Sequence, residues 1–166
     1  QNNTHNDTYW ANTFVKKITT TGALNNLNYE TSQRPESYYY EHADTLNVTE
    51  NSSVSFDLTA NSLGDYTTST VLQDLRYTCN YVYADFDGDK RFETSLERIG
   101  NVPPTNGVGG NFNVMNISRT LNIPQNSSGR TGRVRIIYDN AWAERFSSEI
   151  NVREGVVYDF PIRIIQ

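Results

Sequence analysis

A chain of 166 residues has room for one domain with a real core, and two would be cramped. Its formal charge of -5 excludes the basic stripe that a nucleic-acid partner needs and disfavours an anionic membrane surface. A single cysteine excludes an internal disulfide framework or a cysteine-clustered zinc site, and no apolar run approaches the roughly 18 residues of a membrane helix.

The first eight residues read as a flexible polar tail, and 9–166 as a single domain. Trp10, Phe14 and Ile18 share one parity and Tyr9, Ala11 and Val15 the other, which predicts a leading strand with two partly buried faces. A polar connection follows, with Gly22 and then Asn25, Asn26 and Asn28. Leu46 and Val48 precede the short polar stretch Glu50–Ser53, and Val54, Phe56 and Leu58 follow it, a pattern that predicts a hairpin. Segments 69–75 and 141–150 have room for a helical turn or two and no more.

YTCNYVYADF, 77–86, is rich enough in aromatic and β-branched residues for an interior strand, with Cys79 as a buried, inert thiol. Gly, Pro and Asn concentrate in 100–113, a long surface loop. ISRTLNIP alternates again and stops at Pro124. RVRIIYDNAW then puts Arg133 and Arg135 on one face and Val134, Ile136 and Tyr138 on the other, and VVYDFPIRIIQ closes the chain as a strand. The whole predicts an all-β fold, an antiparallel β-sandwich of seven or eight strands with little or no helix.

The richest chemistry lies in YVYADFDGDKRFETSLE, 81–97. Asp85, Asp87 and Asp89 have the 1-3-5 spacing of a calcium loop, the backbone oxygen of Arg91 could serve at position 7, and Glu97 could close the site. The EF-hand places Gly at position 6 and Glu at position 12; here Lys90 and Leu96 stand there, and Lys90 brings a positive charge. A bound calcium ion and a solvated acidic turn, paired with Arg91 or with the Arg133/Arg135 face, are both open readings.

A catalytic pair of carboxylates would need one raised pKa in an apolar setting, which a hydrophilic loop lacks. The only histidines are His5, in the tail, and His42, read as a surface residue at a strand end, and no nucleophile or metal-protease motif occurs. No catalytic residue is therefore assigned, and a glycoside hydrolase ranks third among the functions considered. For sugar binding, the candidates are Tyr39, within Tyr38–Tyr40, and Trp142 flanked by Asn140, Glu144 and Arg145. Aromatic faces can stack on a pyranose while amide and charged groups meet its hydroxyls.

Three landmarks in order resemble the GEVED domain. The first is VYADFDGDKRFETSLE, where Asp85, Asp87, Asp89, Phe92 and Glu97 match that family's strand and acidic loop. The second is SRTLNIPQNSSGRTGRVRI, through Pro124, Gly129, Arg133 and Arg135. The third is GVVYDFPIRI, in the place of the name-giving Gly-Glu-Val-Glu-Asp-Tyr: Gly155, Val157 and Asp159 are kept, Phe160 stands for Tyr, and Val156 and Tyr158 replace both glutamates. The glycine that the family has after the third acidic residue is Lys90 here. The likeness covers roughly 38–166. It implies a β-sandwich in a large secreted bacterial protein, acting as a non-catalytic accessory or adhesion module at the cell surface or outside the cell. The partners that follow are a polysaccharide or glycoprotein glycan and the neighbouring domains of a longer chain, with no cofactor beyond calcium. The alternative is a spacer that docks adjacent domains and takes no ligand.

Overall fold

The computed structural model describes residues 13–62, 78–92, 98–101, 114–140 and 155–166. Alternating apolar side chains become ten strands there: β1 Thr13–Thr21, β2 Asn28–Glu30, β3 Tyr39–Glu41, β4 Leu46–Thr49, β5 Ser53–Ser62, β6 Thr78–Asp85, β7 Arg98–Asn101, β8 Val114–Asn122, β9 Thr131–Asn140 and β10 Val156–Ile165. They form two sheets. One has the order β2-β1-β5-β8; the other has the order β3-β10-β9-β6-β7, with β4 also on β10. The β-sandwich expected from the sequence is present. Trp10 and segments 69–75, 102–113 and 141–150 lie outside the described residues, as does the side chain of Cys79, which falls in β6 as expected.

The core is the shared inner face. Phe14, Ile18, Val54, Phe56, Leu58 and Leu121 enter from the first sheet, and Val82, Val134, Ile136, Tyr158, Phe160 and Ile162 from the second, all within 1 % of full burial. Each fully buried Leu, Ile or Phe contributes about 1.5–3 kcal/mol relative to exposure. A slip of one residue would turn any of these strands inside out, so the alternation fixes the register.

Phe14 and Val15 are neighbours, yet both are buried. The reason is a bulge: the β1–β5 pairing shifts between Val15 and Lys17. Tyr158 of β10 reaches across the sandwich to it. Its hydroxyl oxygen accepts the Val15 amide hydrogen at 2.9 Å and donates to the Val15 carbonyl at 3.3 Å. A buried phenol thereby meets the backbone groups of the bulge, which would be costly to leave unpaired.

Two expectations are corrected. The turn at Glu50–Ser53 is no hairpin. β4 pairs with β10 and β5 pairs with β1 and β8, so the turn arches from one sheet to the other. Apolar alternation on both flanks suits an arch as well as a hairpin, because in an arch the two apolar faces look at each other. Nor is the sandwich wholly antiparallel: β3 and β4 both run parallel to β10, as two halves of one interrupted edge strand. The interruption, 42–45, lies opposite Pro161. The Val157 amide donates to Tyr38 on the β3 side and the Ile164 amide donates to Arg130 on the β9 side. Odd-numbered positions of β10 therefore face the edge strand, and Pro161, which has no N–H, falls where no partner is needed.

The outer edge of β4 is covered by a side chain. Asn25 Oδ1 accepts the Asn47 amide and Asn25 Nδ2 donates to the Thr45 carbonyl, both at 2.6 Å, while the Leu24 amide donates to the Asn47 carbonyl at 2.9 Å. One asparagine thus imitates the strand that would otherwise pair there.

Candidate functional site

β6 delivers Asp85 to the start of the acidic loop with only 2 % of its surface exposed. Its two carboxylate oxygens accept backbone amides, Oδ1 from Gly88 at 2.7 Å and Oδ2 from Lys90 at 2.9 Å. Asp87 accepts the Asp89 amide at 3.0 Å and Asp89 accepts the Arg91 amide at 2.7 Å. Each aspartate therefore first serves as a turn-former, the usual local use of Asp in tight loops. Together they still bring one carboxylate oxygen each within 4.8 Å of one another. Burial, the main cause, holds the Asp85 carboxyl above the usual aspartate range, against the pull of its two amide donors, and Asp87 and Asp89 add to the rise. The expectation that the loop lacks a setting that raises a carboxylate is thus corrected at its first aspartate, which β6 carries into the protein.

The loop's backbone explains a departure from the family pattern. Gly88 and Lys90 both have positive φ, 76° and 71°. A side chain at Gly88 would sit 2.7 Å from the Thr131 carbonyl, and one at Gly132 would collide with the Asp85 carbonyl. The loop thus lies directly on the start of β9. Lys90 occupies the left-handed conformation that the family's glycine would take without strain.

The Arg133/Arg135 face does not pair with the loop aspartates. It turns to Asp159, which is fully buried in β10. Arg135 Nε and Nη2 form a fork on the two Asp159 oxygens at 2.8 and 2.7 Å, and Arg133 Nη1 adds a third contact at 3.2 Å. Tyr39 donates its hydroxyl to Asp159 Oδ2 at 3.0 Å, and Arg133 Nη2 reaches Glu41 at 3.1 Å. The Arg135 guanidinium also lies 4.6 Å from the centre of the Phe92 ring. The Tyr39 phenol is pushed up to about 12, first by burial and then by the Asp159 charge. Tyr81, Tyr83, Ile137 and Val157 form a small apolar cluster on this outer face, with Tyr39 and Phe92 packed against it.

The positions that carry the family likeness are thus brought together. Asp85 opens the loop, Phe92 ends its described part against Arg135, and Arg135 holds Asp159. Of the metal candidates, Asp85, Asp87 and Asp89 converge, Arg91 follows in the same loop, and Glu97 lies outside the described residues. Of the sugar candidates, Tyr39 has its hydroxyl committed to Asp159, Asn140 ends β9 with its side chain outside the described set, and Trp142, Glu144 and Arg145 lie outside it altogether. Sequence reasoning did not find Glu41 or the role of Asp159. The usable signal was a lone carboxylate at an otherwise apolar position of β10, opposite two arginines of one parity.

A family model described as the GEVED domain matches residues 80–163, which runs from β6 into β10 and takes in the acidic loop, Arg133, Arg135 and Asp159. No curated protein matches the chain.

Proposed function

The chain belongs to the GEVED domain family, and from that membership we propose that it serves as a non-catalytic accessory module of a secreted or cell-surface protein, holding its neighbours near a glycan. One observation carries the non-catalytic part of the reading. Two buried carboxylates at family positions are committed to partners: Asp159 is enclosed by Arg135, Arg133 and Tyr39, and Asp85 by two backbone amides. Groups so committed hold a fold and are poorly placed to exchange protons with a substrate.

Calcium is the proposed staple of the acidic loop. What supports it is the convergence of three carboxylate oxygens within 4.8 Å, on a turn already set by its own amide bonds. The ion would take Asp85, Asp87 and Asp89 directly and would offset the charge that burial makes costly at Asp85.

Two measurements test these readings. In affinity electrophoresis through gels cast with soluble polysaccharides, the module is retarded and releases no reducing ends; release in proportion to added chain would end the non-catalytic reading. A thermal melt in EDTA and in millimolar calcium should show a rise of several degrees with the metal, abolished by Asp87→Ala. Superimposed melts would remove calcium from the account and leave an acidic turn.

A further inference from the structure

A concavity that shares no lining residue with the acidic loop lies between residues 25–28 and 42–47, with a volume of about 530 Å³. That is within the usual range for a small-ligand site, roughly 300–1,000 Å³. Its walls are held by bonds that do not use up their polar groups. Asn25 ties the two segments together through Thr45 and Asn47. Asn26 Oδ1 accepts from the Ala23 amide at 3.2 Å and from Thr20 Oγ1 at 3.4 Å, which leaves its amino group free to donate. His42 Nδ1 accepts the Asp44 amide at 3.1 Å, so the neutral ring carries its proton on Nε2. The same ring is seated on Phe160, centroid to centroid 5.5 Å. The Asn28 side-chain amide, the Asp44 carboxylate and His42 Nε2 form no hydrogen bond to any described residue.

The chemistry of the lining selects a ligand class. Among the described residues no lysine or arginine lines the cleft, so none of them compensates a phosphate or a carboxylate. The one carboxylate among the described lining residues, Asp44, is too little for a hard cation that wants six to eight oxygens. Amide, carboxylate and imidazole groups outnumber apolar ones, which disfavours a hydrophobic ligand. Planar groups that both donate and accept suit neighbouring hydroxyls. Leu24, outside the lining itself, is 63 % exposed, precedes Asn25 in the chain and is bonded to Asn47 through its amide, so it is the neighbouring apolar side chain open to the C–H face of a ring.

We infer that this cleft binds a neutral oligosaccharide, with Asn26, Asn28, His42 and Asp44 meeting its hydroxyls and Leu24 its ring. The choice of a glycan over a free polyol rests on the accessory-module reading above; the cleft's polarity stands without it.

The experiment is an amide NMR titration of the ¹⁵N-labelled chain with cellotetraose, mannotetraose and chitotetraose, and with glycerol as the simple polyol. At least one tetrasaccharide should shift the amides of Leu24–Asn28 and His42–Asn47, with glycerol producing far smaller changes at the same concentration. Asp44→Ala and Asn28→Ala, whose side chains hold nothing else in place, should each weaken binding about five- to tenfold, the loss of roughly one hydrogen bond. No shift with any tetrasaccharide, or an equal response to glycerol, would overturn the inference. Shifts elsewhere, unaffected by the two variants, would also overturn it while leaving the accessory reading intact, because retention in polysaccharide gels is measured separately.

Discussion

At the scale of single residues, Asp159 is the position on which most depends. A buried carboxylate with three hydrogen-bonded partners is tolerated only while those partners remain, and removing one side leaves an uncompensated charge. Asp159→Ala should therefore lower the unfolding free energy by about 3–5 kcal/mol, measured by urea denaturation. Arg133→Ala should lower it by only about 1 kcal/mol or less, since that side chain is 41 % exposed and shares Asp159 with Arg135. Equal losses at the two sites would contradict the geometry. The acidic loop offers a test of the opposite sign. Lys90 pays for a left-handed backbone at φ 71°, so Lys90→Gly should be neutral or stabilising by up to about 1 kcal/mol. Gly88→Ala should be destabilising, because its Cβ would press on the Thr131 carbonyl. A melt in which Lys90→Gly falls below the parent chain would show that the lysine side chain contributes something its backbone conformation conceals.

At the scale of elements, the longer strands were legible and their partners were not. Ten strands stand where seven or eight were expected, with β2 starting at Asn28 of the polar connection and β7 ending at Asn101, inside the stretch read as a loop. Leu46, Val48, Val54, Phe56 and Leu58 are all buried as their alternation predicts, but alternation reports only which side chains face inward. Whether the next strand lies beside its predecessor or across from it depends on the three-dimensional path of Glu50–Ser53, where Asn51 adopts φ 56°. For the same reason the sequence does not place β3 and β4 on one edge of β10: the break between them becomes intelligible only when Pro161 is seen opposite it. The acidic loop was readable because its alternating aspartates, Asp85, Asp87 and Asp89, are local in sequence. The amide-lined cleft was not, because 25–28 and 42–47 meet only after both sheets are built. Asn25, which joins them, gives the element-scale prediction. Asn25→Ala removes both side-chain bonds to the β4 edge and should cost about 1–3 kcal/mol. It should also expose a strand edge that promotes association between copies, seen as a concentration-dependent rise in sedimentation coefficient. A variant that stays monomeric and fully stable would mean that the backbone bond from Leu24 suffices to cover the edge.

At the scale of the molecule, the sandwich is joined near one end by tyrosines. Tyr158 crosses from β10 to the Val15 bulge, and Tyr29 of the opposite sheet packs against Tyr40 and Tyr158 at 4.8 and 5.9 Å between ring centres. Burial pushes the Tyr29 phenol up to about 12, with Tyr40 adding to the rise, and Tyr39 reaches about 12 through burial and the Asp159 charge. Tyr158 is raised further, again chiefly by burial. All three keep their protons in the folded chain at a pH where an unfolded tyrosine, with a pKa near 10, loses its own. The folded state then binds more protons than the unfolded one, so stability must fall as pH rises. The contribution is fully present below pH 10 and is lost progressively between about 10 and 12 for Tyr29 and Tyr39. Urea unfolding across that window should show the decline, and absorbance at 295 nm should show part of the tyrosine population ionising only as the chain unfolds. Tyr158→Phe separates the two sources: it removes the most strongly held proton and so should flatten the alkaline decline. It should also lower stability at neutral pH, where the Val15 backbone groups lose their partner. A chain whose stability is level from pH 9 to 12, with all eleven tyrosines titrating near 10, would mean that these phenols are far better hydrated than their packing allows.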